Sequence, residues 1–434
     1  MPYLTKSAVI LAGGKGTRLG AVSKRIPKPL NLVGSMPVLW HQLQCLEANG
    51  VCNIIIITNY LSRSIEQSVK RYPTQNSNTV ISTYKESQTL GTAGSLSTLE
   101  PDLKEPFYLL YGDIMLDMDF KRMNSFHLDR NSDVSIIIHA TDHPEDSDLV
   151  ETDDNQQVVR IHSSINRSPN SYYPPNSNAG VYLFNPSIFS FLPHNTKADF
   201  CSDVFPNIIN KLRVFGYIST EFIKDMGTPE RLEAVRKDYL SGRVALKNLK
   251  NRQKAVFLDR DGVINRLNGY ISKPEDLTLY PEAGPAIKTL NATSFLIIVV
   301  TNQPVIARGE CTLETLKQIH WKMQKHLSDH DARIDALFFC PHHPHAGYPG
   351  EVKHYKIRCN CRKPETGMID EAIWQFNIDP SRSFMIGDSQ RDIECGRRAG
   401  LRTIWINRTN SDDHITSQFT VGSLAEAVVK IKTI

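Results

Sequence analysis

The sequence predicts an α/β protein of two domains, each a doubly wound, three-layer arrangement with a mostly parallel sheet between helices. The 434 residues exceed what one hydrophobic core usually serves. Short β-branched runs alternate with amphipathic stretches, and this alternation occurs in two separate series. A basic, glycine-containing stretch lies between the two series. We therefore expect one domain at residues 1–242, a linker at 243–253 and a second domain at 254–434.

The elements follow from the length and pattern of the apolar runs. The first series predicts strands at Ser7–Leu11, Asn53–Thr58, Phe107–Tyr111, Val134–His139 and Gly180–Phe184, and helices at Pro37–Asn49 and Ser62–Arg71. The second predicts strands at Ala255–Leu258, Phe295–Thr301, Ala336–Phe339, Ser383–Ile386 and Arg402–Ile406, and helices at Glu314–Asp329, Gly367–Phe376 and Asp392–Ala399. Residues 229–254 predict a helix that runs into the basic connector, and the Ser-, Asn- and Pro-rich segment 163–178 predicts a surface loop.

The composition is that of an ordinary soluble protein, with 40% apolar and 22% charged residues. A net charge of +4 gives no case for a nucleic-acid or membrane partner, and the basic residues at 247–254 suit a solvated linker. No apolar run approaches the ~20 residues of a membrane helix, and the N-terminus is unlike a signal peptide. We therefore expect a cytoplasmic chain. Its eight cysteines should be reduced, so closely spaced cysteines indicate a metal site before a disulfide.

The first predicted strand ends in a glycine loop, Leu11-Ala12-Gly13-Gly14-Lys15-Gly16-Thr17-Arg18-Leu19. Glycines let the backbone approach a ligand closely and turn its N–H groups toward phosphate oxygens. Arg18 adds forked donors suited to a polyphosphate, and Lys28 places a second cation between two prolines. The loop alone is equally well explained as a turn between strand and helix.

The whole combination resembles the signature of the sugar-phosphate nucleotidyltransferases, L-A-G-G-x-G-T-R-L followed by P-K-P. The resemblance implies a Rossmann-like domain with catalytic roles for Arg18 and Lys28. It further implies nucleotide contacts at Leu11, Ala12, Gly13, Gly14, Gly91 and Thr92, sugar contacts at Asn178 and Gly180, and Mg²⁺ ligands at Asp113 and Asp225. Two carboxylates from separate strand ends can hold a hard cation against a triphosphate while a sugar phosphate attacks in line.

Two departures from that family leave part of its specificity open. Gln88 stands where many members carry an acid, and no Glu-Lys-Pro occurs between Arg160 and Asn178, where many members place a lysine on the sugar phosphate. Arg167 is a candidate substitute for that lysine.

The second series opens with an apolar strand that ends in Asp259 and Asp261. Alternate side chains of an extended strand share a face, so the two carboxylates repel unless a cation lies between them. An exposed acidic turn is the alternative, because D-x-D is common. Later segments add a hydroxyl, two cations and further acids at Thr301, Arg362, Lys363, Asp388 and Asp392.

This order resembles the haloacid-dehalogenase-type (HAD) phosphatases. The resemblance implies that Asp259 attacks phosphorus and that Asp261 protonates the leaving alcohol and then activates water. It implies Mg²⁺ bound by Asp259, the backbone carbonyl of Asp261, and Asp388. The expected substrate contacts are Thr301, Asn302, Gln303, Arg308, Arg362 and Lys363.

Cysteines and histidines cluster in sequence just before the Arg362-Lys363 pair. Cys340, His342, Cys359 and Cys361 offer four ligands, enough for a closed, structural zinc site. His343 or His345 could replace His342, and unrelated reduced cysteines beside surface histidines are the alternative explanation.

The zinc loop, Thr301–Gln303 and Ala307–Gly309 resemble the D-glycero-D-manno-heptose 1,7-bisphosphate 7-phosphatases, although Pro304-Val305 and Ser389 depart from them. The first half is most similar to heptose 1-phosphate guanylyltransferases. The two resemblances imply a bifunctional enzyme that acts on heptose bisphosphate, heptose 1-phosphate and an NTP, with GTP the first choice, to make GDP-heptose for a bacterial surface polysaccharide. The alternatives are a phosphatase for another sugar phosphate or histidinol phosphate beside a mannose-type transferase, and an N-terminal domain that only senses nucleotide sugar. The oligomeric state is open, and a homo-oligomer is compatible with the sequence.

Overall fold

The computed structural model describes residues 4–14, 16, 26–141, 143–168, 171–347, 349–408 and 415–433. It divides into two compact units, formed mainly by the chain up to Lys250 and from Asn251 onwards. Each unit contains a sheet with helices, so the α/β fold class predicted from the sequence is confirmed. Arg18 lies outside the described residues.

The elements of the first unit are numbered in chain order. Its strands are β1 (Ser7–Leu11), β2 (Leu32–Val33), β3 (Met36–Pro37), β4 (Asn53–Thr58), β5 (Val80–Lys85), β6 (Phe107–Tyr111), β7 (Ile114–Asp117), β8 (Val134–Ala140), β9 (Leu149–Thr152), β10 (Val158–His162), β11 (Asn176–Phe184), β12 (Val214–Ile218) and β13 (Phe222–Asp225). Its helices are α1 (Val38–Ala48), α2 (Ser62–Arg71), α3 (Gly91–Ser97), α4 (Phe120–Asp129), α5 (Phe205–Ile208), α6 (Pro229–Leu240) and α7 (Arg243–Leu246).

The large sheet of this unit has nine strands and is mixed. Its centre is parallel, because β1 pairs with β4 on one side and with β6 on the other. Strand β11 joins β6 in the antiparallel direction. The central strands are apolar on both faces, and one hydrophobic cluster covers each face of the sheet.

The second unit is a six-stranded parallel sheet with the order β16-β15-β14-β17-β18-β19. Its strands are β14 (Lys254–Leu258), β15 (Phe295–Asn302), β16 (Ala336–Cys340), β17 (Phe384–Gly387), β18 (Arg402–Ile406) and β19 (Phe419–Val421). Its helices are α8 (Ala283–Asn291), α9 (Leu313–Ser328), α10 (Gly367–Phe376), α11 (Gln390–Arg398) and α12 (Leu424–Lys432).

Both units place their first strand where the strand order reverses. In the second unit β14 lies between β15 and β17, and in the first β1 lies between β4 and β6. Loops that leave neighbouring parallel strands on opposite sides of the sheet open a crevice at this point, where α/β proteins bind ligands. The topology therefore brings the glycine loop after β1 and the acids after β14 to ligand-binding positions.

The stretch predicted as a linker, residues 243–253, is more ordered than its composition suggested. It contains the short helix α7, and Leu249 is buried, with its N–H donated to the Glu221 carboxylate at 3.0 Å. This stretch therefore packs against the first unit as far as Lys250.

Candidate active sites

The first unit has a cavity of about 290 Å³ at the carboxyl ends of its central strands. The glycine loop, the start of α3 and the end of β6 surround it. Of the residues selected from the sequence, those that line it are Leu11, Ala12, Gly13, Gly14, Lys28, Gly91, Thr92 and Asp113. Gly91 has a φ of +75°, and a side chain there would collide with the backbone carbonyl of Ala198, so this turn requires glycine.

Lys28 and Asp113 form an ion pair at one side of this cavity, with Nζ 2.7 Å from Oδ2. Lys28 is fixed between Pro27 and Pro29, and Asp113 follows the end of β6. Solvent still reaches both side chains, which are 12% and 24% exposed. The carboxylate is therefore accessible to a cation, and the ammonium is accessible to a phosphate.

Asp225 is brought beside Asp113 by the short antiparallel pair β7–β13. Asp225 lies opposite Ile114, and the N–H of Met226 donates to the carbonyl of Asp113 at 3.0 Å. Arg231 Nη1 lies 3.1 and 3.2 Å from the two Asp225 oxygens, while its Nη2 donates to Asp146. The two predicted Mg²⁺ ligands thus come from adjoining strand ends, and each is paired with a basic side chain.

Asn178 makes its hydrogen bonds within the protein. Its Nδ2 donates to the Tyr182 hydroxyl at 2.6 Å and lies 2.9 Å from Cys201 Sγ, while its Oδ1 accepts the N–H of Gly180 at 3.0 Å. The Tyr182 hydroxyl donates in turn to that of Tyr111, which lines the cavity. Asn178 therefore orders a polar chain that leads to the cavity wall.

Glu86 lines the same cavity and was not selected from the sequence. It follows β5 directly, four residues before Leu90, whereas the comparison with the family pointed to position 88. Its side chain is buried, Oε1 has no hydrogen-bond partner among the described residues, and burial raises the pKa of the carboxyl. No sequence pattern pointed to Glu86, because the edge strand β5 that precedes it has no continuous apolar run.

The second unit has a cavity of about 630 Å³ beside the end of β14. The sequence-selected residues that line it are Asp259, Asp261, Thr301, Asn302, Gln303, Arg362, Lys363 and Asp388. The loop after β14 closes another side with Leu267, Gly269, Tyr270 and Ile271. Arg308 is placed against this loop, with its guanidinium 4.4 Å from the Tyr270 ring centre and its Nε 2.9 Å from Glu310.

Lys363 lies between two carboxylates at the floor of this cavity. Its Nζ is 2.9 Å from Asp259 Oδ1 and 2.6 Å from Asp392 Oδ1, and Lys363 and Asp392 are 2% and 1% exposed. Burial and the nearby Asp392 raise the pKa of Asp259 to about 7, against the opposing charge of Lys363. The lysine therefore neutralises part of an acidic cluster in which Asp392 is buried and Asp259 lines the cavity.

Asp259, Asp388 and Asp392 each offer an oxygen, and the three oxygens lie within 4.8 Å of one another. Burial and Asp392 raise the pKa of Asp388 to about 6. Hard carboxylate donors at this spacing fit Mg²⁺, which would remove the repulsion. Asp392 was noted from the sequence but not selected as a ligand. Its other oxygen accepts the Ser389 N–H at 3.1 Å in a capping box that begins α11.

Asp261 is held by the side chains of three neighbours. Arg260 donates to both of its oxygens at 2.9 Å, and Asn265 and Gln303 each donate to one, also at 2.9 Å. Burial alone would raise the pKa of Asp261, but the Arg260 charge and these hydrogen bonds outweigh it and lower the pKa. Gln303, selected as a substrate contact, therefore has its carboxamide bonded to Asp261.

Cys340, His342, Cys359 and Cys361 meet at the end of β16. Cys361 Sγ lies 3.3 Å from Cys340 Sγ, 3.2 Å from Cys359 Sγ and 3.3 Å from His342 Nδ1. All four ligand atoms lie within 4.8 Å of one another, the arrangement of a tetrahedral metal site. His343 and His345 instead contact each other, and Arg362 Nη1 donates to the His342 carbonyl. The cluster thus adjoins a side chain of the cavity.

Both units of the chain match known protein families. The nucleotidyl transferase family model matches residues 7–242, and a HAD-hydrolase-like model matches residues 360–427. A D-glycero-β-D-manno-heptose-1,7-bisphosphate 7-phosphatase from Haemophilus ducreyi is 38% identical over 158 residues, which cover 36% of this chain and 84% of that protein. The chain belongs to both families. The combination of transferase and phosphatase predicted from the sequence is confirmed at this level.

Solved structures align with each part separately. HddC from Yersinia pseudotuberculosis covers 54% of this chain and all of its own, with 25% identity and a TM-score of 0.48. The D,D-heptose 1,7-bisphosphate phosphatase of B. bronchiseptica, solved with magnesium and phosphate, covers 42% of this chain and 99% of its own, with 28% identity and a TM-score of 0.37.

In the part of the chain that the structure describes, no helix has the length and apolar character needed to cross a membrane.

Proposed function

We propose that this chain catalyses two consecutive steps of nucleotide-activated heptose synthesis. The second unit removes the 7-phosphate of D-glycero-D-manno-heptose 1,7-bisphosphate, and the first transfers GMP from GTP to the resulting heptose 1-phosphate, releasing pyrophosphate. The observation that carries the proposal is the presence in one chain of two cavities, one lined by Lys28, Asp113 and the described glycines of the loop, the other by Asp259, Asp261, Lys363 and Asp388.

In the phosphatase step, an Asp259 carboxylate oxygen attacks phosphorus and the bond to the sugar oxygen breaks. Asp261 gives its proton to the departing alkoxide, then takes one from the water that attacks the aspartyl phosphate, which restores both acids. Lys363 and Arg362 lie where they can neutralise the phosphoryl oxygens. Mg²⁺ bound by Asp259, Asp388 and Asp392 would offset the repulsion between nucleophile and phosphate.

In the transferase step, the glycine loop turns backbone N–H groups toward the triphosphate, and Lys28 supplies positive charge beside it. The phosphate of heptose 1-phosphate attacks the α-phosphorus in line, and pyrophosphate leaves without a covalent enzyme intermediate. Mg²⁺ held by Asp113 and Asp225 would neutralise the triphosphate, and Arg18 is proposed to assist from the same loop.

Glu86 supports guanine as the base. Glu86 lines the nucleotide cavity, and its carboxylate oxygen Oε1 is buried without a hydrogen-bond partner among the described residues. A carboxylate accepts hydrogen bonds only, and guanine offers two adjacent donors, its ring N–H and its exocyclic amine. Adenine, uracil and cytosine lack that pair of adjacent donors.

Zinc is the metal we propose for the Cys340, His342, Cys359 and Cys361 cluster, because three thiols and an imidazole suit a structural zinc site. Through the His342 carbonyl, the metal would fix the loop that carries Arg362. Metal analysis of the purified chain should find zinc that the Cys361→Ser variant loses. An equal zinc content in both proteins would contradict this assignment.

The test follows phosphate and pyrophosphate release when the full chain receives heptose 1,7-bisphosphate, Mg²⁺ and each NTP separately. We expect phosphate first, and pyrophosphate afterwards with GTP. No phosphate release would contradict the heptose substrate. Phosphate without pyrophosphate from any NTP would contradict the transferase and favour a sensor domain.

Single substitutions separate the two reactions. Asp259→Asn should abolish phosphate release while heptose 1-phosphate and GTP still give pyrophosphate, and Asp225→Asn should do the reverse. Asp129→Asn, at an exposed position that ends α4, is the matched control for a lost carboxylate. Loss of both reactions in either site variant would contradict two independent sites.

A further inference from the structure

Arg260 separates the two catalytic aspartates and is completely buried. The backbone leaves the strand here: Gly262 has a φ of +83°, and the N–H groups of Ile264 and Asn265 both donate to the Arg260 carbonyl. This turn folds the guanidinium back onto the residue that follows it. Arg260 Nε and Nη2 lie 3.0 and 2.9 Å from Asp261 Oδ1, and Nη2 is also 2.9 Å from Oδ2.

Burying a guanidinium beside a reactive carboxylate is energetically costly. Burial removes the water that would hydrate each ion, and Nη1 has no hydrogen-bond partner within the described part of the chain. Packed apolar side chains would stabilise the fold at least as well as such a pair. The ion pair is therefore poorly explained as a device for folding alone.

Gln303 and Asn265 complete the set of contacts around Asp261. Gln303 Nε2 donates to Asp261 Oδ2 at 2.9 Å and to Thr301 Oγ1 at 2.8 Å, while its Oε1 accepts from Arg260 at 3.1 Å. Asn265 Nδ2 donates to Asp261 Oδ1 at 2.9 Å. Rotation of the Asp261 carboxylate would break hydrogen bonds at both oxygens, yet Asp261 still lines the cavity.

We propose that Arg260 and Gln303 are positioning residues of the phosphatase, which fix the Asp261 carboxylate in the orientation for proton exchange with the leaving oxygen. The inference rests on the proposed general-acid role of Asp261 and extends it to two residues whose side chains donate hydrogen bonds to the Asp261 carboxylate. It also replaces the substrate contact expected for Gln303 from the sequence.

A misplaced general acid slows expulsion of a poor leaving group far more than that of a good one. A sugar alkoxide needs a proton as it departs, whereas p-nitrophenolate is stable without one. Removal of a general acid typically costs about 10²- to 10⁴-fold in rate. A variant that only misplaces Asp261 should show a large part of that loss with the sugar phosphate and little with p-nitrophenyl phosphate.

The experiment compares kcat/KM, which reports the steps up to departure of the alcohol or phenol, for heptose 1,7-bisphosphate and p-nitrophenyl phosphate in the full-length chain with Mg²⁺. Arg260→Lys retains the charge but cannot form the forked contact, and Gln303→Met removes the hydrogen bonds with little change in volume. We expect each to lower kcat/KM for the bisphosphate at least ~10-fold while changing kcat/KM for p-nitrophenyl phosphate only a few-fold. Asp261→Asn sets the upper limit of this selective loss, and the exposed Arg397→Lys is the matched control.

Equal losses on both substrates, or no loss on either, would overturn the inference. If thermal unfolding shows that the Arg260→Lys variant is not folded, the comparison of Gln303→Met with wild type decides whether the inference holds. If the wild-type chain leaves heptose 1,7-bisphosphate intact, the proposed substrate fails. In that case the comparison with p-nitrophenyl phosphate uses an alkyl phosphate that the chain does hydrolyse. The positioning role is therefore tested independently of the proposed heptose substrate.

Discussion

The two candidate active sites both offer positive charge for a phosphate group, but they differ in how far their charged side chains are buried. In the first unit the cavity is lined by glycines and by polar side chains, and its Lys28–Asp113 pair remains partly exposed. In the second, the buried Lys363 and Asp392 form one ion pair, and the buried Arg260 forms another with Asp261. Backbone N–H groups at glycines suit the binding of a triphosphate, whereas a covalent nucleophile has to be a carboxylate held in place. Removing one charged side chain should therefore have different consequences in the two sites.

Replacing each site's lysine by methionine should give the largest contrast. Lys363→Met leaves Asp259 and Asp392 buried without their cation, which should abolish phosphatase activity and lower the unfolding free energy by about 3–5 kcal/mol. Lys28→Met should abolish pyrophosphate release but cost no more than about 1 kcal/mol, because water reaches Asp113. Denaturant unfolding without Mg²⁺ measures both. Equal destabilisation would contradict the contrast between a buried and a hydrated site.

Glu86→Gln tests whether the first site has a buried charge with a direct role in specificity. A charged hydrogen bond contributes roughly 1.5–3 kcal/mol, so kcat/KM for GTP should fall about 10- to 100-fold. Values for ATP should change little, and phosphate release from the bisphosphate should be unaffected. The measurement is pyrophosphate release with each NTP, with the exposed Glu100→Gln as control. An unchanged preference for GTP would remove Glu86 from base recognition.

Replacing Glu221 should have the smallest effect on activity. Glu221 is a buried acid of the first unit, and it is not among the described residues that line the nucleotide cavity. Burial raises its pKa to about 7, while an unfolded glutamate titrates near ~4.3. Between these values the folded chain binds more protons than the unfolded chain, so stability falls as pH rises and levels off above about pH 7. Glu221→Gln should flatten this decline in thermal midpoints measured between pH 5 and 8. An identical pH dependence in variant and wild type would exclude Glu221 as its source.

The strand positions show which parts of the fold could be predicted. The apolar strands β1, β4 and β6 were predicted at their observed residues, because a buried central strand needs a continuous apolar run. Strand β5, Val80–Lys85, was not predicted, because it is an edge strand with mostly exposed side chains and has no such run. Short strands such as β7 and β13 depend on pairing partners far away in sequence.

The candidate metal ligands, like the strands, could be predicted from the sequence only in part. Asp259 and Asp388 follow apolar strands, so their place at the cavity could be inferred from the sequence. Asp392 was noted from the sequence but not selected as a ligand, and the structure shows that Asp392 both caps α11 and forms an ion pair with Lys363. His342 was left open against two other histidines, and the backbone path after β16 directs its Nδ1 to the cysteines.

By itself the sequence determined the two-part α/β architecture, the reaction classes and half of the residues that line each cavity, because these depend on local patterns and on strand ends that meet at one edge of a parallel sheet. Only the tertiary structure decided which groups neutralise each carboxylate: Lys28 for Asp113, Arg231 for Asp225, Lys363 for Asp259 and Arg260 for Asp261. It also decided that Glu86 lies in the nucleotide cavity and that Gln303 is bonded to Asp261. Charge pairing and burial depend on distances of a few ångströms, and for all but the sequence neighbours Arg260 and Asp261 those distances are set by how separate segments pack.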